Sequence, residues 1–375
     1  MEQANNKREK SKFSRFLKGL ITLVNIVMVL ALLFSAWSQR ISPEIISWSN
    51  LMGLAFPILL VCNMLWVLAW ILQFNIRCLI STVAIIICWG EVLTYCPFND
   101  STDPSVYEQT PRNLKFKLLS YNVMGWDGNK KLNGHNESVD LIKDVDADLV
   151  CIQECGYTDN EKYLTRANIR EQLNQYPYIQ DNERRGGLVL FSKFPIVKSW
   201  YKRGNTTLGR TVFYALDLGK DTLIVINNHL ESTGLSITNR VVFDSISRLN
   251  HSPDELVNAI EIPQKLAKKS QVRAQQIDEL SNEIIQLKKR YRYVVLCGDL
   301  NDSPISYTHY TIRQLLGDAY MAKGRGPGIS YNKNRLWVRI DHIMPCSHLE
   351  TTKCTVIHKS KSSDHYPIVA NILLK

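Results

Sequence analysis

Residues 20–37 carry no charged side chain, a run long enough to cross a bilayer at about 20 residues per helix. Two further apolar runs follow after short breaks, residues 51–72 and 78–95, the last interrupted by Glu91. The pattern predicts three membrane helices within an anchor over residues 1–97. Residues 98–112 (FNDSTDPSVYEQTPR) hold two prolines and no apolar period, as a linker does. From residue 113 onward, short apolar runs alternate with helical spacings. Strands are predicted at 114–120, 147–153, 187–192, 211–218, 222–227, 294–297, 338–344, 354–358 and 366–373. Helices are predicted at 138–145, at 166–173, and from Pro263 to about residue 289, where Leu266, Ile277, Leu280 and Ile284 fall near helical spacing. Many strands with few helices imply a mixed sheet architecture covered by helices, in one unit over 113–375 large enough for a sizeable core.

Charge adds a direction to the anchor. Lys7, Arg8, Lys10, Lys12, Arg15 and Lys18 precede the first apolar run, and basic flanks stay in the cytoplasm. Arg77, between the second and third runs, falls on the same side. Three crossings then deliver residues beyond 97 to the opposite face, which in a bacterial cell is the periplasm or exterior, with the chain a multi-pass protein of the inner membrane. A cleavable signal peptide would have a shorter apolar core and no further spans. Of the net charge of +10, residues 1–100 carry +3 and the rest +7, a mild excess compatible with an anionic substrate or surface. The nine cysteines show no zinc-ligand spacing. Cys62, Cys78, Cys88, Cys151 and Cys297 read as small buried hydrophobes. Cys346 and Cys354 are candidates for a disulfide across a hairpin in an oxidising compartment, a pairing that spacing leaves open.

The chemistry concentrates where apolar runs stop. In VVLCGDLNDSP (residues 294–304) a strand runs into Gly298, then Asp299, Asn301 and Asp302. Asp299 and Asn301, two apart, project to one face of an extended backbone. A carboxylate and an amide at the mouth of a core can activate water and hold a phosphate oxygen. The same stretch also reads as a strand followed by an Asx-type turn. Five other run ends carry similar groups: Asn122 in LLSYNV, Glu154 in LVCIQE, His229 in IVINNHLE, Asp341 in RIDH, and Asp364 with His365 in SSDHYP. One such residue is ordinary turn chemistry; six are harder to read as punctuation.

The motifs YNV, QE, NHLES, GDLND, RIDHI and SDHYP, in this order over residues 114–373, resemble those of the endonuclease/exonuclease/phosphatase superfamily, the deoxyribonuclease I-like fold. The resemblance does not extend to the apolar N-terminal part. It implies an α/β fold of the α+β kind, a four-layer sandwich of two packed mixed sheets flanked by helices. It also implies divalent-metal-dependent hydrolysis of a phosphoester. By motif position, Glu154 is the principal metal ligand, with Asn122 beside it and Asp364 at the metal or a second-metal position. The cation expected is Mg²⁺, with Mn²⁺ an alternative, since hard cations take oxygen ligands. Asp299 corresponds to the group that orients or deprotonates the attacking water, and Asn301 to its phosphate-contacting neighbour. Asp341 and His365 correspond to a carboxylate–histidine pair favouring imidazolium beside phosphate. His229 corresponds to a second histidine serving the phosphate or leaving group. Arg210, in GRTV, is a candidate phosphate contact. Tyr331 is expected to shape the cleft, Arg273 and Gln276 to serve packing or surface, and His135, His251, His309, His342, His348 and His358 to be structural.

The substrate stays open between nucleic acid and a phospholipid head group, the latter in the manner of sphingomyelinases. The stretch after Asn122, Val-Met-Gly-Trp-Asp, departs from the abasic-site repair nucleases, and an extracytoplasmic site puts genomic DNA out of reach. No protein partner is implied. The reading from another class, a non-catalytic membrane receptor or scaffold that keeps the fold, is disfavoured by intact matches at every motif.

Overall fold

The computed structural model describes residues 2–100, 104–128, 136–157, 164–182, 187–202, 210–232, 253–331, 333, 337–359 and 362–375. His135 and His251 lie outside them. The chain begins with α1 (Glu2–Ser38) and α2 (Ser49–Ile71). Both include a segment long and apolar enough to cross a membrane, Arg15–Ser38 and Ser49–Ile71. The third apolar run is not one straight rod. It forms α3 (Cys78–Ile87) and α4 (Trp89–Tyr95), bent by 66° at Cys88, so that the pair counts as a further span only if taken together. The bend brings the buried Glu91 against the end of α1, where Gln39 Nε2 donates to it at 3.0 Å and Arg40 Nη2 at 3.1 Å. An acidic residue in an apolar helix is costly unless so paired.

Within 98–112 the chain forms α5 (Pro104–Gln109), and the preceding residues are stitched to the body that follows. Asn99 Nδ2 donates to the carbonyls of Met321 and Gly324 at 2.9 Å each, and Phe98 pairs with Arg325.

The remainder is two packed sheets. The first has the order β10-β11-β1-β2-β4-β3, built from β1 (Lys115–Asn122), β2 (Leu149–Gln153), β3 (Tyr178–Asn182), β4 (Leu188–Ser192), β10 (Leu349–Val356) and β11 (Ile368–Leu374). The second has the order β5-β6-β7-β8-β9, from β5 (Ile196–Trp200), β6 (Thr211–Asp217), β7 (Thr222–His229), β8 (Tyr293–Asp299) and β9 (Asp341–Pro345). Each sheet has one parallel pair near its centre, β1 with β2 and β7 with β8; the other pairings are antiparallel. Central strands are covered on both faces, which is why β2 (LVCIQ) and β8 (YVVLCGD) are buried throughout and read as continuous apolar runs.

Helices close both sides. α7 (Glu137–Val145) and α8 (Arg166–Gln172) place Val139, Ile142 and Ile169 on the outer face of the first sheet, against Tyr121, Val150 and Ile152. Asn136 caps α7 by accepting from the N–H groups of Ser138 and Val139. The long α9 (Pro253–Arg290) lays Ile277, Leu280 and Ile284 on the second sheet, and ends in Lys288, Lys289 and Arg290, which complement its carbonyl end. It starts ten residues before the expected position. Pro253 stands at its first position, where a missing N–H costs nothing, and Pro263 lies inside it. The architecture is the four-layer sandwich expected. Short helices α6 (Met124–Gly128), α10 (Tyr307–Arg313) and α11 (Ala319–Lys323) complete it. Cys346 and Cys354 are separate free thiols.

Candidate active site

The two parallel pairs end at one edge of the sandwich, and their last residues are the polar ones. In register, Asn122 lies opposite Gln153, His229 opposite Asp299, and Asp299 opposite Asp341. A polar bridge locks the sheets together just below that edge. Gln153 Nε2 donates to Asn227 Oδ1 at 2.7 Å, and Asn227 Nδ2 donates to the carbonyl of Ile152 at 3.0 Å. The strand carrying Asp299 approaches β7 so closely that a Cβ on Gly298 (φ 136°) would stand 1.9 Å from the Asn228 carbonyl oxygen. Only glycine fits there.

Asp299 is the centre of the site and almost fully buried. Asn122 Nδ2 donates to its Oδ2 at 3.2 Å, and the Asn301 N–H to its Oδ1 at 2.7 Å. Asn301 turns the chain with φ 51° and donates its own Nδ2 to the Leu230 carbonyl, which ties the Asp299 turn to the segment after His229. Glu154 also sits in the left-handed region, at φ 54°, with its carbonyl accepting from the N–H groups of Gly125 and Gly156. Two of the expected site residues thus hold a backbone geometry that non-glycine residues seldom adopt, a kind of strain that clusters at functional sites. The Glu154 side chain is 42% exposed at the mouth, and its Oε1 lies 3.5 Å from His229 Nε2.

The two histidines are in opposite electrostatic states. His365 Nδ1 donates to Asp341 Oδ2 at 2.8 Å, and its Nε2 lies 3.7 Å from Asp299 Oδ2. Burial disfavours its charge, but Asp341, Asp299 and Asp364 outweigh that and raise it to about 10, so the ring is an imidazolium at neutral pH. His229 is lowered to about 3 by burial, then by Arg210 and His365, and is neutral; neither of its ring nitrogens has a hydrogen-bond partner among the described residues. Asp299 is raised to about 7, first by burial and then by Asp341 and Glu154, against the pull of His365 and the Asn301 N–H.

Asp299, Asp341 and His365 bring their ligand atoms within 4.8 Å of one another. With Glu154 and Asn122 beside them, this donor set is rich in oxygen, and Asp341 Oδ1 is buried without a partner among the described residues. Burial and neighbouring carboxylates push the Asp299 pKa up, and a hard cation would relieve that, so the residues fit the divalent metal used by this kind of site. Asp364 stays outside the cluster, with its Oδ2 3.5 Å from Lys333 Nζ. Arg210 is exposed; its carbonyl accepts from the His229 N–H at 3.0 Å. Tyr331 packs edge-on against the His365 ring, 5.1 Å between centroids.

Other residues support the site without an obvious motif. Ser330 Oγ accepts from the N–H groups of Ile340 and Asp341 at 3.0 Å each and so fixes the start of β9. Arg273 and Gln276 on α9 are buried and grip the segment after His229: Arg273 Nη1 donates to the Glu231 carbonyl, and Gln276 Oε1 accepts from the Glu231 N–H. Their signal in sequence is slight, since polar residues on a charged helix look solvated. On the other face of β9, His309, Asp318 and His342 form a second, fully buried group outside the mouth. His358 lies apart from both groups and bonds the Ile329 carbonyl.

The chain is similar to known proteins over two separate stretches. An endonuclease/exonuclease/phosphatase family model matches residues 119–365. A second family model, a domain of unknown function (DUF8431), matches residues 18–95. Comparison with curated proteins gives no match. Solved structures with a similar fold include the human Nocturnin catalytic domain with bound sulfate anion, at 16% identity and TM-score 0.47, over 70% of this chain and 95% of that one. Truncated Caenorhabditis elegans TDP2 is similar at 18% identity and TM-score 0.45, over 69% and 98%. An endonuclease/exonuclease/phosphatase from Bacteroides vulgatus is similar at 15% identity and TM-score 0.47, over 70% and 99%. With six motifs gathered at one edge of a four-layer sandwich, and a family model spanning well over half of its length, the chain belongs to the endonuclease/exonuclease/phosphatase family.

Proposed function

We propose that the chain is a membrane-anchored, divalent-metal-dependent phosphodiesterase whose catalytic unit lies across the membrane from the N-terminus. The observation that carries the activity is the gathering of Asn122, Glu154, His229, Asp299, Asp341 and His365 around one mouth, with an imidazolium held by a carboxylate.

A phosphodiester resists attack because it is anionic, so the site must neutralise charge, supply hydroxide and protonate a leaving alkoxide. Glu154 and Asn122, with Asp364 at the rim, would hold Mg²⁺ or Mn²⁺, which supplies charge neutralisation when bound. Asp299, kept near the basicity that suits proton transfer at neutral pH, takes the proton of the attacking water. Asn122 and the Asn301 backbone fix its two oxygens, and the Asn301 side chain contacts the phosphate. His365 presents Nε2–H to a phosphate oxygen while Asp341 holds the ring's other nitrogen. Neutral His229 offers a hydrogen bond to the leaving oxygen, which takes its proton from solvent water as Asp299 releases its own, and Arg210 draws the anion to the mouth.

The anchor supports both the siting and the substrate. The end of α1, the start of α2 and the end of α4 all touch the catalytic unit. Gln275 reaches Glu44 between α1 and α2, Asn50 meets Asp302, and Thr94 and Tyr95 accept from Arg339. A chain that enters from a basic cytoplasmic end and brings these three points together has that unit on the far side, which is periplasmic in a cell with two membranes. The turn after Asp299 packs on those helix ends, which supports a substrate drawn from the membrane surface. We therefore favour a lipid head-group phosphodiester over nucleic acid.

The test is the full chain in detergent micelles or nanodiscs with Mg²⁺ or Mn²⁺, assayed for head-group release from mixed phospholipid vesicles and for nicking of plasmid DNA. Head-group release that EDTA abolishes, and that Asp299→Ala or Glu154→Gln lowers by about 10²-fold or more, is expected. Nicking without head-group release would assign the site to nucleic acid instead. Activity indifferent to chelation or to both substitutions would overturn the assignment.

A further inference from the structure

The residue after Asn301 has no place in the chemistry above, yet it is the most heavily bonded side chain of that loop. Asp302 Oδ2 accepts from Asn50 Nδ2 at 2.6 Å, from Thr308 Oγ1 at 2.9 Å and from Arg273 Nε at 3.3 Å, and its Oδ1 accepts from the Ser303 N–H. Three of these partners belong to the catalytic unit. Asn50 does not: it lies in the first turn of α2, 252 residues away. Its amide is committed on both sides, since Nδ2 also lies 3.3 Å from Ser270 Oγ, and Oδ1 accepts from the Tyr307 N–H at 3.2 Å. One buried amide of the anchor thus bridges the loop after Asp299, the start of α10 and the inner face of α9.

Packing around this bridge is equally close. Ile305 is fully buried in a hole between the anchor helices, among Leu32, Ala36, Phe56, Ala84 and Cys88. α2 can approach it because residue 53 is glycine: a Cβ there would stand 1.9 Å from the Ile305 carbonyl oxygen. The loop from 302 to 307 is therefore held from the membrane side by a knob, a close backbone contact and a charged hydrogen bond. Asn301, with its left-handed backbone, and Asp299 stand immediately before it.

Resting on the hydrolase reading above, we infer that α2 lends the active site a positioning residue, Asn50, which through Asp302 sets the turn that orients Asp299 and Asn301. The anchor then governs turnover as well as location. A neutral amide is the right group for the task. It donates to the Asp302 carboxylate and accepts from a backbone N–H, whereas a carboxylate at residue 50 would repel Asp302 and an alanine would leave a buried carboxylate short of a donor. A displacement of about 1 Å at a reacting group can cost about 10²-fold in rate, so partial loosening of this turn should be visible in kcat.

The experiment uses the full chain in nanodiscs with bis(4-nitrophenyl) phosphate and Mn²⁺, alongside amide hydrogen exchange. Asn50→Ala and Asn50→Asp are expected to lower kcat about tenfold with KM within twofold, and to raise exchange in residues 300–307 alone. Asn50→Gln, which keeps an amide donor facing the Asp302 carboxylate and leaves the Arg273 pair intact, is expected to hold kcat within about threefold of wild type. Asn50→Ala and Asn50→Asp with wild-type kcat and wild-type exchange at 300–307 would overturn the inference. So would a loss in Asn50→Gln as large as that in Asn50→Ala, or exchange rising across the whole catalytic unit, since both mark general destabilisation. If the wild-type chain releases no nitrophenolate, the hydrolase reading is what fails. Exchange at 300–307 in the variants then decides by itself whether Asn50 holds the loop.

Discussion

Asp341 and His342 are neighbours on β9 and point to opposite faces of the sheet, and each belongs to a buried histidine–aspartate group. On one face His365 Nδ1 meets Asp341 Oδ2 at 2.8 Å; on the other His309 Nε2 meets Asp318 Oδ2 at 2.7 Å. The bonds are nearly identical, yet His365 is raised to about 10 and His309 lowered to about 4. Burial lowers both. His365, however, faces Asp341, Asp299 and Asp364, while His309 shares the single Asp318 with His342 and feels Arg313 nearby. The number of carboxylates around the ring, and not the hydrogen bond itself, decides which histidine is a cation at the mouth and which is a neutral ring packed between α10, α11 and β9. Asp318 fits the second role: it caps α11 through the N–H groups of Tyr320 and Met321 while accepting from His309.

The sharpest way to break this contrast is to remove one histidine from each face. His365→Ala is expected to lower kcat by about 10²-fold or more, because it removes an imidazolium at the mouth, and to lower the melting temperature as well, because it strands the buried Asp341 and Asp299 carboxylates. His309→Ala is expected to lower stability alone: it leaves the buried Asp318 carboxylate short of a donor, a loss of about 1–3 kcal/mol, while kcat per folded molecule stays within a few-fold. Steady-state kinetics and thermal unfolding on the same two preparations read both effects. Equal losses of activity would show that the second group belongs to the reaction.

Acid should separate the two faces less steeply. His309 titrates normally near 6.5 but near 4 when folded, so between those values the unfolded chain takes up a proton that the folded one refuses. Its contribution to stability is complete above pH 6.5 and falls away as the pH drops toward 4. Burial opposes the charge of Asp318, but the hydrogen bond from His309, with the His342 ring 3.6 Å away, holds it well below its ordinary 3.8, so its contribution is lost only at still lower pH. His229 pushes the same way and Asp299 the opposite way, so the wild-type curve mixes several groups. The difference between wild type and His309→Ala isolates this one: the gap in unfolding free energy is expected to narrow as the pH falls from 6.5 to 4. A constant gap would mean that His309 is charged in the fold.

The site's residues were easier to read in the sequence than the frame that holds them, and the reason is distance along the chain. Asn122, His229 and Asp299 stand out because each ends a strand that is otherwise apolar, and a lone polar residue at such a boundary is visible locally. The central strands were visible for the same reason. β3 and β5 were not, because they are edge strands; residues 197 and 198 of β5 face solvent, and the alternation is lost. The short α10 and α11 carry too few residues to show a period. Asp302 looks like a turn former until Asn50, Ser270 and Arg273 are folded against it, and none of those three shows in sequence that it is buried.

Asp364 gives the finest test of the comparison, because it stands between the two kinds of role. Its motif position matches a metal ligand, and its charge helps keep His365 protonated, yet its carboxylate faces Lys333 at 3.5 Å outside the cluster formed by Asp299, Asp341 and His365. Asn at this position keeps the shape and removes the charge. A residue that binds the metal directly would, on losing that charge, raise the Mg²⁺ concentration for half-maximal activity by tenfold or more. A residue that only adds negative charge at the rim, partly offset by a half-exposed lysine, has a weaker hold, since charges near solvent are screened. Asp364→Asn is therefore expected to raise the Mg²⁺ requirement about threefold, with kcat at saturating Mg²⁺ within twofold of wild type. A tenfold or larger increase would move Asp364 from the rim of the site into the metal's own coordination.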